Sequence, residues 1–507
     1  MMTFIFINAT AQTTFQKTFG GTIDDYGTAA QQTSDGGYAM VGHTNNFGTG
    51  SSDKLYLIRT NANGDTLWTK TYGGAGDLLA YTLQQTSNDG FILTGYTNAS
   101  GAGNLDLLLI KTDESGNPTW TKTFGGPGLD VGHAVRQTTD GGFIVAGVTD
   151  LGAGNGDLYL IRVNSSGDSI FTKTIGGTGI DRASSIQVTA DGGFIIGGYT
   201  SSSGAGENDF YLIKTSSDGM VTWVKTLGGA SADNGNDVQQ TTDGGYIFVG
   251  NTMSFGAGGS DVYLIKTDAS GTPVWSKTYG GSGGEFGNSV QQTGDGGYVV
   301  AGYSSSFPGV YLIRTDGNGN LNWSKNIGGL TFDWGSTIGK CIDGGFVIAG
   351  YTLSFGVGSM DAYLIKTDAG GNTGCNDGNP LTESGSVVTL TGSPSLTISM
   401  GSLMDDALLI AYGGGTSTTI CLTTPVEETT PGNPVSVSPN PFVRLLSIHG
   451  TKGSGRAFIT DMSGKIILKQ NTVAGETILN LENIAPGSYL LNCSEGITER
   501  SFKVVKY

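Results

Sequence analysis

The chain alternates short apolar runs with polar turns, and it does so on a fixed period. One period reads SVQQT (289–293), GYVVAGY (297–303), VYLIRT (310–315) and LNWSKNI (321–327). Each run has strand length and is rich in β-branched or aromatic residues, with glycine-rich polar stretches on either side, so each predicts a β-strand. No long stretch carries the i, i+3, i+4 apolar spacing of an amphipathic helix. Gly-Gly pairs fall at 20–21, 73–74, 125–126, 176–177, 228–229, 280–281 and 328–329, with spacings of 53, 52, 51, 52, 52 and 48 residues. A polar turn joins the first two strands of each period. It is Asp-Gly-Gly at 35–37, 140–142, 191–193, 243–245, 295–297 and 343–345, and Asn88-Asp89-Gly90 in the second copy. Such turns need residues that tolerate positive φ.

Four short antiparallel strands per period of about 50 residues predict the blade of a β-propeller. A parallel β-helix has shorter coils and no hairpins. The third-strand motif occurs seven times, from LYLIRT (55–60) to AYLIKT (362–367). The fourth-strand motif also occurs seven times, from FQKT (15–18) to WSKN (323–326). The last third strand therefore has no fourth strand after it. Pairing Phe15–Phe19 with Ala362–Thr367 supplies one, and predicts an all-β, seven-bladed propeller over residues 12–371, closed by its N-terminal strand.

The recurring aromatics Phe15, Trp68, Trp120, Phe171, Trp223, Trp275 and Trp323 read as core residues between neighbouring blades. Fourteen of the 26 Lys and Arg residues recur in register on the third and fourth strands, which leaves no local basic patch. Recurring acids such as Asp77, Asp130, Asp181, Asp233 and Glu285 are their expected partners. The formal net charge of −17 also disfavours nucleic acid, whose phosphates call for a basic footprint.

Chemistry is sparse. The three histidines, His43, His133 and His449, share no ligand spacing, and no Cys-x-x-Cys occurs. Cys341 and Cys493 read as buried thiols. Cys375 and Cys421 bracket one Gly/Ser/Thr-rich segment and are an expected disulfide in an oxidising compartment. Loops before the third strand end in Asp53, Asp106, Asp157, Asp209, Asp261 and Asp361. One carboxylate per repeat reads as a turn-capping group rather than a calcium cage, so no metal site is assigned. The pattern Asp268-x-x-Gly271-x-x-x-Trp275, repeated at Asp113, Gly116 and Trp120, resembles the tryptophan-docking repeat of quinoprotein propellers and, more loosely, the Asp-box of sialidases. Their active sites need an arginine cluster or a metal-ligating group. Neither assembles here from non-repeating residues, so no catalytic residue and no cofactor is assigned.

Both ends of the chain speak to export. MMTFIFINATAQ reads as the remnant of a secretory signal over residues 1–11, with Ala9-Thr10-Ala11 as a cleavage site before Gln12. No other segment is long and apolar enough for a transmembrane helix. Residues 372–434 read as a Gly/Ser/Thr-rich β segment and a linker, TTPVEETTPGNP. From 435 the pattern changes to a small β-sandwich with SVSPNPF, AFITDMSGKII, LENIAPGSYLL and SFKVVKY. Residues 436–507 resemble the type A C-terminal sorting domain of the type IX secretion system of Bacteroidota-type Gram-negative bacteria. The matching positions are Pro439, Asn440, Pro441, Asp461, Gly464, Lys465, Pro486, Gly487, Tyr489 and Lys503 with the closing Val504-Val505-Lys506; Cys493 departs from the apolar pattern. The resemblance implies a signal peptide, the secretion machinery as a partner, removal of the domain, and surface attachment or release. The sequence thus reads as an exported or surface-anchored module that binds glycan or protein without catalysis. An extracellular polysaccharide-active or other propeller enzyme and a purely structural surface protein are the alternatives.

Overall fold

Apolar runs bounded by positive-φ glycine turns extend the chain into short strands, and the computed structural model contains no helix among the described residues. The structure describes residues 12–47, 52–74, 76–150 and 156–387, and the strand pieces 390–392, 397–400, 404–405, 410–412 and 416–423. Beyond these it describes 436–438, 445–451, 455–461, 465–485, 487–495 and 498–506. The expected signal remnant, 1–11, lies outside them. Two units separate, residues 1–424 and 425–507.

The first unit holds seven antiparallel sheets, each built from four strands in the predicted order. The first strands are Asp25–Gln32, Leu78–Gln85, Asp130–Gln137, Asp181–Val188, Asp233–Gln240, Glu285–Gln292 and Asp333–Lys340. In six sheets the fourth strand follows the third in sequence. In the seventh it is Thr14–Gly20, which pairs antiparallel with Asp361–Thr367, Phe15 opposite Lys366 and Phe19 opposite Ala362.

The segment after the last repeat has a place the sequence does not announce. Its short strands add a fifth strand to every sheet in turn, running backwards through the repeats. Asp377–Gly378 joins the sixth sheet, Glu383–Ser386 the fifth, Leu390–Gly392 the fourth and Thr397–Met400 the third. Met404–Asp405 joins the second, Ile410–Tyr412 the first, and Thr416–Thr423 pairs with Thr14–Gly20 on the seventh. Each covers the outer edge of a fourth strand, whose N–H and C=O groups would otherwise be unpaired. The stretch read as a separate β segment is therefore hydrogen-bonded to all seven repeats.

Middle strands are apolar on both faces because each sheet packs between two others. Tyr56, Leu57, Tyr159, Leu160, Tyr263 and Leu264 are fully buried. The recurring aromatics join consecutive sheets, as expected. Trp68, Trp120, Trp223 and Trp275 meet Phe91, Phe143, Tyr246 and Tyr298 of the following sheet edge-on, and Phe15 meets Tyr38.

The recurring cations find different partners from those expected. Arg59, Arg162, Lys214, Lys266, Arg314 and Lys366 pair with Asp35, Asp140, Asp191, Asp243, Asp295 and Asp343, the aspartates of the Asp-Gly-Gly turns. The turn and the third strand lie side by side in one sheet, so the cation reaches its own hairpin. The second sheet has Asn88 at that place, and Lys111 lies 5.8 Å from the Phe143 ring instead.

In the second unit, Ser436–Ser438, Leu445–Thr451 and Gly475–Asn480 form one sheet. Ile466–Thr472, Gly455–Asp461, Gly487–Glu495 and Thr498–Lys506 form another. Leu446, Ile448, Ala457, Ile459, Leu479, Leu491 and Cys493 make one core from both.

Candidate functional site: the central cavity

Every first strand carries a β-bulge at its fourth residue, where the register against the second strand slips. A bulge leaves one residue out of the ladder and re-aims its side chain. The seven residues so turned out are Thr28, Tyr81, His133, Ser184, Asn236, Asn288 and Ser336, and all seven line a common cavity of about 710 Å³. They also tie each first strand to the next. Thr28 donates to Ala80 O at 2.8 Å, Ser184 to Gly235 O at 3.0 Å, Asn236 to Gly287 O at 2.9 Å and Asn288 to Gly335 O at 2.8 Å. His133 Nδ1 lies 2.7 Å from Ala183 O, which fixes Nδ1 as the protonated nitrogen, and Tyr81 meets the His133 ring edge-on. Ser336 donates to Gly27 O at 3.1 Å, so the series returns to the first sheet.

The repeats are alike in their cores and unlike here. The fifth residue of the first strand is small or a hydroxyl residue in six sheets (Ala29, Thr82, Ala134, Ser185, Ser289, Thr337) and a carboxylate, Asp237, in the fifth sheet. Asp237 accepts from Ser185 Oγ at 2.7 Å, Ser289 Oγ at 2.9 Å and Val290 N at 3.0 Å, which bolts three sheets together. Burial raises its pKa, against those hydrogen bonds and the attraction of Arg136. Burial also lowers the pKa of His133, favouring the neutral imidazole. The sequence named His133 only as a histidine without ligand spacing, and it did not single out Arg136, Asp237 or Tyr81. The signal was available: each stands where the repeat is broken.

A second departure flanks the cavity. Phe286, Tyr303, Trp334, Tyr351, Tyr26 and His43 follow one another as a row of ring contacts across the sixth, seventh and first sheets. All six are partly exposed, and Trp334 also lines the cavity.

The loop aspartates do what turn-capping groups do. Asp209 accepts from Ala205 N at 2.9 Å and Gly206 N at 3.2 Å, and Asp361 from Val357 N and Gly358 N, both at 3.1 Å. Each of the six loop aspartates also neighbours an acid from the next sheet. Burial first, and then the charge of Glu285, push the Asp261 pKa up to about 6. Asp25 is likewise raised to about 6, by burial first and with a contribution from Asp361.

Cys375 is disulfide-bonded, and Cys341 and Cys493 are buried thiols. Cys421 pairs through its backbone with Gln16, whose amide donates to Cys375 O at 2.6 Å, so both cysteines border one residue. Of the sorting-domain positions, Pro439, Asn440, Pro441, Gly464 and Pro486 lie outside the described residues. Asp461, Gly487 and Lys503 are in strands, and Lys465 is exposed. Tyr489 is buried and donates to Ala485 O at 2.6 Å. Lys506, also buried, donates to Leu481 O, Glu482 O and Ile484 O at 2.7, 2.8 and 2.6 Å, clamping the closing strand to that turn.

Residues 436–507 match the family described as "Secretion system C-terminal sorting domain". The protein is therefore secreted or attached to the outer-membrane surface, and its C-terminal domain engages the type IX secretion machinery. No curated protein matches this chain in sequence. Among solved structures, PorZ, a bacterial surface component of the type IX secretion system of Porphyromonas gingivalis, aligns with a TM-score of 0.41 and 12% identity. The alignment covers 96% of this chain and spans 60% of that one, a likeness too low to bear on function.

Proposed function

We propose that residues 12–423 form a seven-bladed β-propeller whose last blade is completed by Thr14–Gly20, and that it works outside the cell as a non-catalytic binding module for glycan or protein. The distribution of difference among the repeats carries this reading. Buried positions repeat almost without change, whereas the bulge residues that line the central cavity are polar and differ from sheet to sheet. A scaffold needs only the first property; a selective binding site needs the second. The second unit is an address, removed on export.

Two experiments test the reading. Purified full-length protein is screened against surface glycans and extracellular polysaccharides, with reducing-end release measured in the same samples. Saturable binding without product supports the module; product formation without added cofactor would replace it with an enzyme. In the host, a strain lacking 436–507 should hold the protein in the periplasm, and mature surface protein should lack SFKVVKY. Normal surface display of the deletion would overturn the address.

A further inference from the structure

The seventh residue of the first strand is glutamine in five sheets (Gln31, Gln84, Gln187, Gln239, Gln291), glycine in the last (Gly339) and arginine in the third (Arg136). Three of those glutamines use their amide oxygen to join the next sheet. Gln84 accepts from Gln137 N at 2.7 Å, Gln239 from Gln292 N at 2.6 Å, and Gln187 from Gln240 N at 2.5 Å. A guanidinium has five N–H donors and no acceptor, so Arg136 cannot make that joint. Among the described residues its one hydrogen bond runs from Nη1 to Val135 O at 2.8 Å. Arg136 lines the cavity, where it is the one Lys or Arg among the described lining residues.

Arg136 is partly exposed, and a guanidinium partly withdrawn from bulk water gains from an anion that meets it. Asp237 contributes attraction but has both oxygens engaged, Oδ1 by Ser185 and Oδ2 by Ser289 and Val290. The cavity volume suits a small ligand. Beside Asp237 the lining also carries Asn236, Asn288, Gln291 and Ser184, neutral donors and acceptors of the kind that hold hydroxyl groups.

We propose that the central cavity binds an acidic saccharide, with Arg136 taking its carboxylate or sulfate oxygens through the planar fork and the surrounding amides and hydroxyls taking the neutral ring substituents. This deepens the binding reading above and rests on it. It names the site, the anchoring residue and the ligand class.

The test uses full-length protein and two variants. Arg136→Gln installs the residue that five sibling repeats carry, and Arg136→Lys keeps the charge without the fork. Titration calorimetry and melting curves are run with glucuronate, glucose 6-sulfate, inorganic phosphate and glucose. Glucuronate or the sulfated sugar should bind wild type and raise its melting temperature, bind Arg136→Gln roughly ten- to a hundredfold more weakly, and bind Arg136→Lys in between. Glucose should bind far less well than either. Phosphate binding as tightly as the acidic sugars would overturn the saccharide assignment. Acidic-sugar binding undiminished in Arg136→Gln, or no oxyanion binding by wild type, would overturn the site. Glycan binding that survives Arg136→Gln leaves the module reading intact; failure of wild type against every glycan and protein ligand removes that reading as well.

Discussion

The ring of Phe15 occupies the space that a side chain on Gly64 would need. A Cβ there would lie 2.7 Å from the ring, and Gly64 has φ of +74°, where L-residues are strained. The two residues belong to different sheets, and the same relation recurs between Trp68 and Gly116, Trp223 and Gly271, and Trp275 and Gly319. The Asp-x-x-Gly-x-x-x-aromatic pattern is thus one half of two joints. Its glycine receives the ring of the previous repeat, and its aromatic is delivered to the next.

That joint can be separated from backbone strain alone. Gly271 has φ of +77° and the Trp223 ring 2.7 Å from its Cβ position, whereas Gly244 has φ of +84° and nothing within 4 Å. We expect Gly244→Ala to cost about 1–2 kcal/mol and Gly271→Ala about 2–4 kcal/mol, the excess being overpacking against the ring. Urea midpoints measure both. Equal losses would mean that the ring contact is not constraining.

Removing residues 12–19 should be far more damaging than trimming a terminus usually is. It takes away the partner of Ala362–Lys366 and of Thr416–Thr423 together, and uncovers Tyr363 and Leu364, now fully buried. Light scattering should show aggregation, and any soluble fraction should melt lower. An unchanged melting temperature would disprove closure by this strand.

Stability should peak in mildly acidic solution. Asp25 and Asp261 have folded pKa values raised to about 6 from the ordinary 3.8, so the folded state binds the extra protons and gains stability as pH falls from 7 through 6. Asp140 and Asp191 are lowered to about 2, by the Thr138 and Thr189 hydroxyls first and by Arg162 and Lys214 as well. Their contribution is present above pH 3.8 and is lost as pH falls towards 2. Melting temperature against pH should therefore rise from pH 7.5 to a maximum between about 4 and 5, then fall. A monotonic decline from neutral pH would contradict the carboxylate assignment.

We expect the Cys375 disulfide to be made with Cys421, tying the first fifth strand to the last. Non-reducing peptide mapping of exported protein should give one cross-linked peptide pair containing both residues. Recovery of Cys421 as a thiol would exclude it.

The repeat, its turns and the pairing of Phe15–Phe19 with Ala362–Lys366 could be read from sequence because each rests on local chemistry. Asp-Gly-Gly makes a hairpin wherever it stands, and a motif missing its partner can be matched by counting. What escaped depends on neighbours in space. The bulge that aims His133 into the cavity is a register slip against the second strand, and nothing in residues 130–137 alone encodes it. The weight of Arg136 comes from its place in a cavity it shares with Asp237, in the fifth sheet. The partner of Lys266 was sought among recurring acids such as Asp233 and Glu285, whereas it pairs with Asp243 on the adjacent turn. The fifth strands are as short as two residues, with composition too plain to mark them; only their six- or seven-residue rhythm, Asp377, Ser384, Thr391, Ile398, Met404, Ala411, Ser417, hints at regular use.

That reversed series of strands sets a timetable. Residues 377–423 emerge from the ribosome only after all seven repeats, yet each repeat depends on them to cover its fourth strand. A chain that has made every repeat and nothing more would present seven open sheet edges at once, each able to pair with another molecule. Along the chain the fifth strands pass from the sixth sheet to the first and then to the seventh, so the last of them joins the two strands of the unit farthest apart in sequence, Thr14–Gly20 and Thr416–Thr423. Protection against aggregation therefore arrives late and all within one short stretch of synthesis, just ahead of the domain that directs the protein out of the cell.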